Sequence, residues 1–453
     1  MLERIINRLR NLTRRLRRAV PAVTVAGYVL AAPLLVLAQG GTDSTHWVGT
    51  WATALVERRD PPPGRRPTQA PPAQPSPGAF VPIRVLNPGL HFNDQTLRQI
   101  VRTSVGGDRV RVVFSNVFGT APLAVGAASV ALRREGATIV TASVRELRFG
   151  GHASTRIAAG AVLLSDPVEL AVPALTELAI DLYLPGQTGS SGSPVTTHNR
   201  SVQTHFVSTA GDHTGVTDLP VMTRTESWFF LARVEVEAPM QTSAVVAIGD
   251  SITDGYGATV GAYSRWPDHL AQRFQAANLP MSVLNVGIGG NRVLTNGSGV
   301  SALARLDRDV LVQTGVTHVI VLEGINDIGA RGMARASSEE LIAGHRQLID
   351  RAHARGLTIY GATLTPFEGT VIPGYWTEEG EVTRQTLNAW IRTSGEYDGV
   401  IDFDAATLDP TQPLWFLPAY DYSDHLHPGD AGYEAMANTV DLNLFRTEVD
   451  RDR

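Results

Sequence analysis

One apolar stretch limits the folds open to this chain more than any other feature. Residues 244–248 are five apolar residues in a row, and Gly249, Asp250 and Ser251 follow them directly. A short apolar run that ends in this way is typical of a strand buried on both faces of a parallel sheet. In open α/β sheets, ligands bind beyond the carboxyl ends of the strands. The stretch therefore predicts an α/β domain that presents Ser251 where chemistry takes place.

Three further stretches follow in a fixed order. They are residues 285–291 (Asn-Val-Gly-Ile-Gly-Gly-Asn), residues 324–327 (Gly-Ile-Asn-Asp) and residues 424–428 (Asp-His-Leu-His-Pro). With the Gly-Asp-Ser of residues 249–251, they resemble the four blocks of the GDSL, or SGNH, family of serine esterases. Those blocks carry Ser, Gly, Asn and His in this order, and the resemblance extends over residues 243–440. The Gly-x-Ser-x-Gly motif of standard α/β-hydrolases is absent from the sequence.

The chemistry of such a set can be argued from the side chains. A serine hydroxyl is a weak nucleophile until a base takes its proton, and His427 is the candidate base for Ser251. A carboxylate that accepts the second N–H of the imidazole holds it in one tautomer. Asp424 lies three residues before His427 and is the first choice, with Asp421 as the alternative.

The resemblance also implies how the oxyanion is held. The donors it implies are the backbone N–H groups of Ser251 and Gly290 and the side-chain amide of Asn326. Glycine suits such a position because its backbone can approach a substrate closely. Asn291 and Asp327 are interpreted as residues that brace the loops carrying these donors.

Other groupings of polar residues have competing explanations. Asp424, His425 and His427 resemble a set of metal ligands, but no further candidate ligand clusters with them in the sequence. Asp250 and Asp254 flank Ser251 like a carboxylate pair, yet hydrogen bonds of a turn and a helix start explain them equally well. We expect no metal and no cofactor.

The N-terminal segment and the charge composition indicate where the protein is located and which partners it binds. Residues 1–18 are strongly basic and residues 19–38 form an apolar run, so residues 1–38 are predicted to be a signal peptide, with an uncleaved membrane anchor as the alternative. They hold seven Arg and one Glu, which leaves the rest with 32 basic and 43 acidic residues. A chain so acidic is not expected to bind nucleic acid. The predicted location is secreted or periplasmic, with membrane contact only through the first segment. The sequence contains no cysteine, so disulfides are excluded.

Residues 46–238 predict an all-β domain. Apolar residues alternate with others along 109–114 and 177–184, as in antiparallel strands with one buried face. A jelly-roll-like β-sandwich is expected, with a hairpin turn at residues 105–108 and a loop rich in Pro and Arg at residues 57–82. Four aromatic residues in this region are interpreted as core, with a sugar-stacking patch as the alternative: Trp47, Trp51, Trp228 and Phe229.

Residues 243–446 predict the catalytic domain, in which strands alternate with helices. Helical spacing indicates helices at residues 267–277 and 381–393, and Ser337 and Glu340 form a capping box for another. Short connections between parallel strands give right-handed crossovers and a three-layer α/β/α fold. The resemblance implies that the sheet is flavodoxin-like.

The expected function is an exported serine esterase that hydrolyses short-chain carboxylic esters, with a saccharide deacetylase as the leading candidate. Tyr375 and Trp376, in a loop predicted near the site, can stack on a sugar ring. The alternatives are a lysophospholipase or lipase, an acyltransferase to a sugar hydroxyl, and a non-catalytic glycan-binding protein. The expected partner is a small-molecule or saccharide ester.

Overall fold

The computed structural model describes residues 44–59, 91–189, 191–329 and 334–446. The predicted signal segment, residues 1–38, lies outside this range, as does most of the Pro- and Arg-rich loop at residues 57–82. Within the described ranges, no helix combines the length and the apolar character needed to cross a membrane.

The first region, up to Pro239, is built of strands. They are β1 Thr45–Ala52, β2 Val56–Arg58, β3 Gln95–Arg102, β4 Gly107–Ser115, β5 Leu123–Val125, β6 Ala127–Glu135, β7 Thr138–Ile139, β8 Arg145–Glu146, β9 Thr155–Ile157, β10 Val162–Leu164, β11 Val168–Val172, β12 Glu177–Leu184, β13 Val195–His198, β14 His205–Ala210, β15 Val221–Thr225, β16 Trp228–Phe229 and β17 Leu231–Pro239. A single 3₁₀ turn, Thr141–Ser143, interrupts them in the described part of this region.

Two antiparallel sheets dominate this region. One has the strand order β1-β17-β4-β10, with β11 also paired to β4, and the other has the order β15-β14-β3-β12-β6-β7, with β8 paired to β6. Apolar side chains of β4 and β12 are fully buried in one common core, as their alternation predicts. The prediction of an all-β region is confirmed.

The predicted hairpin at residues 105–108 is wrong. Strand β3 precedes this turn and pairs with β12 and β14, whereas β4 follows it and pairs with β17, β10 and β11. The segment is therefore a corner at which the chain passes from one sheet to the other. Gly106 and Gly107 fit this corner because a Cβ on either would collide with the backbone of a neighbouring strand or loop.

The aromatic residues of this region belong mainly to its core. Trp51, Trp228 and Phe229 are buried, and the rings of Trp51 and Trp228 meet edge to face at 4.8 Å. Trp47 is half-buried beneath the Arg111 guanidinium, which lies 4.3 Å from the ring centroid. These contacts favour the core interpretation over a sugar-stacking patch.

The second region alternates strands and helices. Its strands are β18 Ser243–Gly249, β19 Met281–Gly287, β20 Val316–Leu322, β21 Thr358–Ala362, β22 Gly399–Ile401, β23 Leu408–Asp409 and β24 Gln412–Phe416. Its helices are α1 Ser251–Asp254, α2 Trp266–Ala276, α3 Ala302–Leu306, α4 Ile325–Ile328, α5 Ser338–His353, α6 Glu378–Thr393, α7 Phe403–Thr407 and α8 Asp430–Thr439, with a π-helical turn at Asp307–Leu311 and a 3₁₀ turn at Leu442–Phe445.

The parallel sheet of this region has the strand order β19-β18-β20-β21-β22. Numbered within the region, this order is 2-1-3-4-5, the flavodoxin-like arrangement. The predicted α/β fold and its flavodoxin-like sheet are confirmed. Ser337 caps α5 as predicted, through a hydrogen bond from the Glu340 amide and a return bond to the Glu340 carboxylate.

Both regions fall in one compact unit, residues 43–453. At their seam, the amide of Gly49 in β1 donates to the carbonyl of Thr314, 2.8 Å away. The hydroxyl of Ser104 donates to the carbonyl of Val283 in β19 at 2.8 Å. The β region is therefore packed directly on the parallel sheet, whose interior strand β18 leads to Ser251.

Candidate active site

Strand β18 positions Ser251. Residues 244–248 are fully buried, since the strand lies between β19 and β20. Asp250 then caps helix α1 by accepting a hydrogen bond from the Ile252 amide at 2.9 Å, and Gly255 ends the helix with φ of 104°. Ser251 is thus the first residue of a one-turn helix at the carboxyl end of a central strand.

The structure brings Ser251, His427 and Asp424 together in a hydrogen-bonded chain. Ser251 Oγ lies 2.8 Å from His427 Nε2, and His427 Nδ1 lies 2.7 Å from Asp424 Oδ2. The second carboxylate oxygen of Asp424 accepts hydrogen bonds from the backbone amides of Leu426 and His427, at 3.1 and 2.8 Å. In this arrangement the imidazole is oriented to accept the serine proton at Nε2.

Electrostatics keep Asp424 ionised. Burial by itself raises the pKa of this carboxyl, but the hydrogen bonds from the His427 side chain and the two backbone amides outweigh it and lower the pKa below its ordinary value. The alternative residue, Asp421, has a different partner, since its carboxylate contacts His425. The structure therefore places Asp424 rather than Asp421 against His427.

Gly290 and Asn326 line the same cavity as Ser251. Gly290 has φ of 77°, and a Cβ there would collide with the Ser298 hydroxyl, so this position requires glycine. Asn326 Nδ2 is buried without a hydrogen-bond partner among the described residues. Its Oδ1 accepts a hydrogen bond of 2.8 Å from the Tyr375 hydroxyl, which fixes the orientation of the amide. A buried amide donor beside a serine hydroxyl is suited to bind an oxyanion.

The two predicted bracing residues are fully or almost fully buried. Asn291 donates to the Val300 carbonyl at 2.8 Å and accepts from Arg305 Nε at 2.9 Å. The two carboxylate oxygens of Asp327 accept from the amides of Val293 and Leu294, at 2.8 and 3.1 Å. Asp327 thereby ties the helix that carries Asn326 to the loop that follows Gly290.

Beneath the serine lies a buried group of charges that the sequence did not reveal. Arg305 donates to the carbonyls of Val286 and Gly249, at 2.6 and 3.1 Å, and so joins the ends of β19 and β18. Glu323, at the end of β20, is fully buried, and neither of its carboxylate oxygens has a hydrogen-bond partner among the described residues. Burial, together with the neighbouring carboxylates, raises the pKa of Glu323 well above its ordinary value and that of Asp250 to about 7.

This raised pKa predicts a pH-dependent effect of Asp250→Asn. Between the ordinary carboxyl pKa of 3.8 and about 7, the folded wild type holds more protons than the unfolded chain, so its free energy of unfolding falls as pH rises. The asparagine side chain does not ionise, so the variant has no such dependence at this position. The unfolding free energy of the variant minus that of wild type should therefore rise with pH across this window, by at most about 1.4 kcal/mol per pH unit. Urea unfolding at several pH values measures the difference.

Asp350→Asn, on the exposed side of α5, is the matched control for loss of a carboxylate. A difference between Asp250→Asn and wild type that stays constant from acid to neutral pH would contradict the assignment.

The β region supplies one wall of the cavity. The cavity has a volume of about 550 Å³, and Val56, His198, Asn199 and Arg200 line it together with the residues above. His198 Nε2 lies 2.9 Å from Asp254 Oδ1, while Asp254 Oδ2 accepts from the Gly289 amide at 3.1 Å. Asp254, the last residue of α1, therefore does not start a helix but links the β region to the loop of Gly290.

No pattern in the sequence indicated that the β region would form this wall. His198 is the last residue of β13 and lies 53 residues before Ser251 in the chain, with no motif around it. Tyr256, five residues after Ser251, was also missed, although its ring packs on the His427 imidazole with centroids 4.1 Å apart. The signal in the sequence was an aromatic residue in a glycine-rich turn after Ser251.

No group of three or more His, Asp or Glu side chains in the described ranges is arranged to hold a metal ion. His425 and His427 contact different carboxylates, those of Asp421 and Asp424.

Comparison with known proteins agrees with the fold. Residues 247–435 match the model of the GDSL-like lipase/acylhydrolase family. None of the curated proteins matches the chain.

Similar solved structures include a variant of an acetyl-xylooligosaccharide esterase from Geobacillus, at 24% identity and a TM-score of 0.35, covering 47% of this chain and 100% of that one. A GDSL-like lipase from Bacteroides thetaiotaomicron is 18% identical, with a TM-score of 0.35 and coverages of 45% and 87%. A carbohydrate acetylesterase from Sinorhizobium meliloti is 13% identical, with a TM-score of 0.34 and coverages of 43% and 95%. At such low identities and TM-scores, these similarities carry no weight for the substrate of this chain.

The family match covers the segments that contain Ser251, Gly290, Asn326, Asp424 and His427, from the end of β18 into helix α8. The chain thus contains a domain of the GDSL-like lipase/acylhydrolase family, and the protein is a carboxylic ester hydrolase.

Proposed function

We propose that the protein is a serine esterase in which Ser251 is the nucleophile, His427 the general base and Asp424 the residue that orients it. The observation that carries this proposal is the continuous chain from Ser251 Oγ through the imidazole to the Asp424 carboxylate, with bonds of 2.8 and 2.7 Å. Both bonds lie within the range expected of a nucleophile, its base and the orienting group.

The reaction then has two halves. Ser251 Oγ attacks the ester carbonyl carbon while its proton moves to His427 Nε2, and the carbonyl oxygen becomes an oxyanion. That proton passes to the leaving alkoxide as the carbon–oxygen bond breaks, which releases the alcohol and leaves an acyl-serine. Water repeats the sequence: His427 takes its proton, its oxygen attacks the acyl carbon, and Ser251 Oγ departs with the proton. The backbone amides of Ser251 and Gly290 and the Asn326 side chain stabilise both oxyanions.

Asn326→Ala should lower kcat by about 10²- to 10³-fold, the range found when one oxyanion donor is removed elsewhere. KM should change much less, because the oxyanion exists only in the transition state. Steady-state kinetics with p-nitrophenyl acetate measure both constants. Asn443→Ala, in the C-terminal 3₁₀ turn and outside the cavity, is the control. A rise in KM at unchanged kcat would contradict the role proposed for Asn326.

We propose short acyl esters as substrates, with acetyl groups on a saccharide as the leading candidate. Polar side chains from both regions line the cavity, and its volume of about 550 Å³ accommodates a sugar residue. Tyr375 is not a free stacking platform, because it is buried and its hydroxyl bonds Asn326. Tyr256 and Tyr422, whose rings meet edge to face at 5.7 Å, line an adjoining cavity, and Tyr422 is exposed.

A series of p-nitrophenyl esters from acetyl to dodecanoyl tests the acyl preference. We expect kcat/KM to be highest for the shortest acyl groups, because polar and charged side chains share the cavity lining with its aliphatic ones, which are Val56, Ile288, Ile372 and Leu426. A maximum at octanoyl or longer would instead favour a lysophospholipase or lipase. Product analysis with an added polyol separates hydrolysis from acyl transfer.

We also propose that the protein acts outside the cytoplasm. The basic residues 1–18 followed by the apolar residues 19–38 support this. Fractionation of cells that express the full chain, with N-terminal sequencing of the mature protein, tests both export and cleavage.

A further inference from the structure

Arg200 lines the cavity as a cation that forms no direct ion pair with a carboxylate of the described residues. It belongs to the β region, lines the same cavity as Ser251, and is half-buried. Among the described residues no carboxylate forms an ion pair with it, and its guanidinium lies over the ring of Tyr256, 5.5 Å from the centroid. Removing such a cation from water without a partner costs free energy, which an anionic ligand would offset.

The carboxylates near Arg200 have other hydrogen-bond partners or form no ion pair with it. Asp254 is bonded to His198 and to the Gly289 amide. Asp424 is bonded to His427. Glu226 lines an adjoining cavity of about 170 Å³ together with Arg200 but forms no ion pair with it.

The backbone around Arg200 has unfavourable dihedral angles and is fixed by hydrogen bonds to neighbouring segments. Arg200 and Val202 have φ of 59° and 54°, a region that a β-branched residue rarely adopts. Between them Ser201 is buried, and its amide donates to the Glu226 carbonyl at 2.7 Å. The Val202 carbonyl accepts a hydrogen bond from the Gly261 amide at 2.9 Å. Neighbouring elements thus fix the segment that presents Arg200.

Geometry tells which part of a substrate Arg200 faces. In ester hydrolysis the leaving alkoxide must lie near His427 Nε2, because that atom gives it a proton. The ring of Tyr256 packs on the His427 imidazole at 4.1 Å, and Arg200 lies over that same ring. Arg200 therefore lies on the His427 side of the cavity, from which the alcohol leaves.

Asn199 adds a second polar group. It lines the same cavity, and its buried Oδ1 has no hydrogen-bond partner among the described residues. An amide oxygen next to a guanidinium matches a ligand that carries a hydroxyl donor close to an anionic acceptor. A planar carboxylate suits the forked donors of arginine.

We propose that Arg200 and Asn199 form a subsite for the alcohol part of the substrate, and that this alcohol carries a carboxylate, as an acidic sugar does. The proposal rests on the proposed function, because it uses His427 to locate the leaving group. In this proposal the β region contributes to substrate specificity, because it selects the alcohol whose ester Ser251 cleaves.

Two matched substrates test the subsite: 4-acetoxybenzoate and 4-acetoxybenzamide, which share the acyl group and the ring and differ in the carboxylate. For wild type, kcat/KM should be higher for the benzoate by about tenfold or more, as expected of a charge-assisted hydrogen bond. Arg200→Gln should bring the ratio close to one, and Arg200→Lys, which keeps the charge, should give an intermediate ratio. Both kcat/KM values of a variant are measured on the same preparation. A fraction of misfolded protein therefore lowers both equally and does not change their ratio.

Arg156→Gln, an exposed arginine on β9, removes the same charge at a distance and should leave the wild-type ratio unchanged. A wild type without preference for the benzoate, or an Arg200→Gln variant that keeps the preference, would overturn the subsite. A stronger preference for 4-acetoxyphenyl phosphate would overturn the choice of a carboxylate. Failure of the proposed function looks different, since Ser251→Ala would then hydrolyse both esters at the wild-type rate.

Discussion

Ser251→Ala is expected to lower kcat/KM for p-nitrophenyl acetate by roughly 10⁴-fold or more, the scale of loss when a catalytic serine is removed in other hydrolases. Alanine cannot form the acyl-enzyme, and His427 would have no hydroxyl proton to accept at 2.8 Å. The oxyanion donors remain, so a residual rate above that of the uncatalysed reaction should persist. The assay uses the purified full-length chain under conditions of excess substrate.

Ser282→Ala is the matched control for this substitution. Ser282 is fully buried in the neighbouring strand β19, and its hydroxyl has no hydrogen-bond partner among the described residues. Its removal should leave kcat/KM close to that of wild type. Equal rates for Ser251→Ala and wild type would show that another group is the nucleophile.

Asp424→Asn should cause the next largest loss, a fall in kcat of roughly 10⁴-fold, as for the equivalent change in another serine hydrolase. The Asp424 oxygen that accepts the two backbone amides would be retained as the asparagine carbonyl. The new NH₂ group would then face His427 Nδ1 and donate to it. The imidazole would be forced into the tautomer protonated at Nε2, which cannot accept the serine proton.

Asp421→Asn provides a sharp control, because Asp421 is the alternative that the sequence leaves open. Its carboxylate contacts His425 and accepts from the amides of Ser423 and His425, at 2.9 and 3.1 Å. The substitution should leave kcat near the wild-type value. A larger loss from Asp421→Asn than from Asp424→Asn would reverse the assignment.

The sequence was most informative where strands end. The apolar runs before Ser251, Gly290 and Asn326 predict three neighbouring strands, and in a parallel sheet their carboxyl ends meet at one edge. The structure brings these residues to one cavity together with Asp424 and His427. Local order was sufficient for Ser251, Gly290 and Asn326, because each of them follows its own strand by a few positions.

Contacts between residues far apart in the chain could not be predicted from the sequence. Asp181 alternates with apolar residues in β12, which predicts an exposed side chain, yet it is buried with Arg98, and two bonds of 2.8 Å join them. Period-two alternation separates the two faces of a strand but does not reveal that a second cluster of side chains covers the other face. For the same reason, nothing near Arg200 indicated that it would lie beside Tyr256.

The central claim is that Ser251 is an activated nucleophile in the folded protein, and covalent labelling tests it most directly. The full-length chain is incubated with a serine-directed fluorophosphonate, digested, and analysed by mass spectrometry. We predict one phosphonate per chain, on the peptide that contains Ser251, with labelling strongly slowed in Asp424→Asn. Absence of the adduct from that peptide, or labelling of Ser251 only at the rate seen after denaturation, would contradict the account.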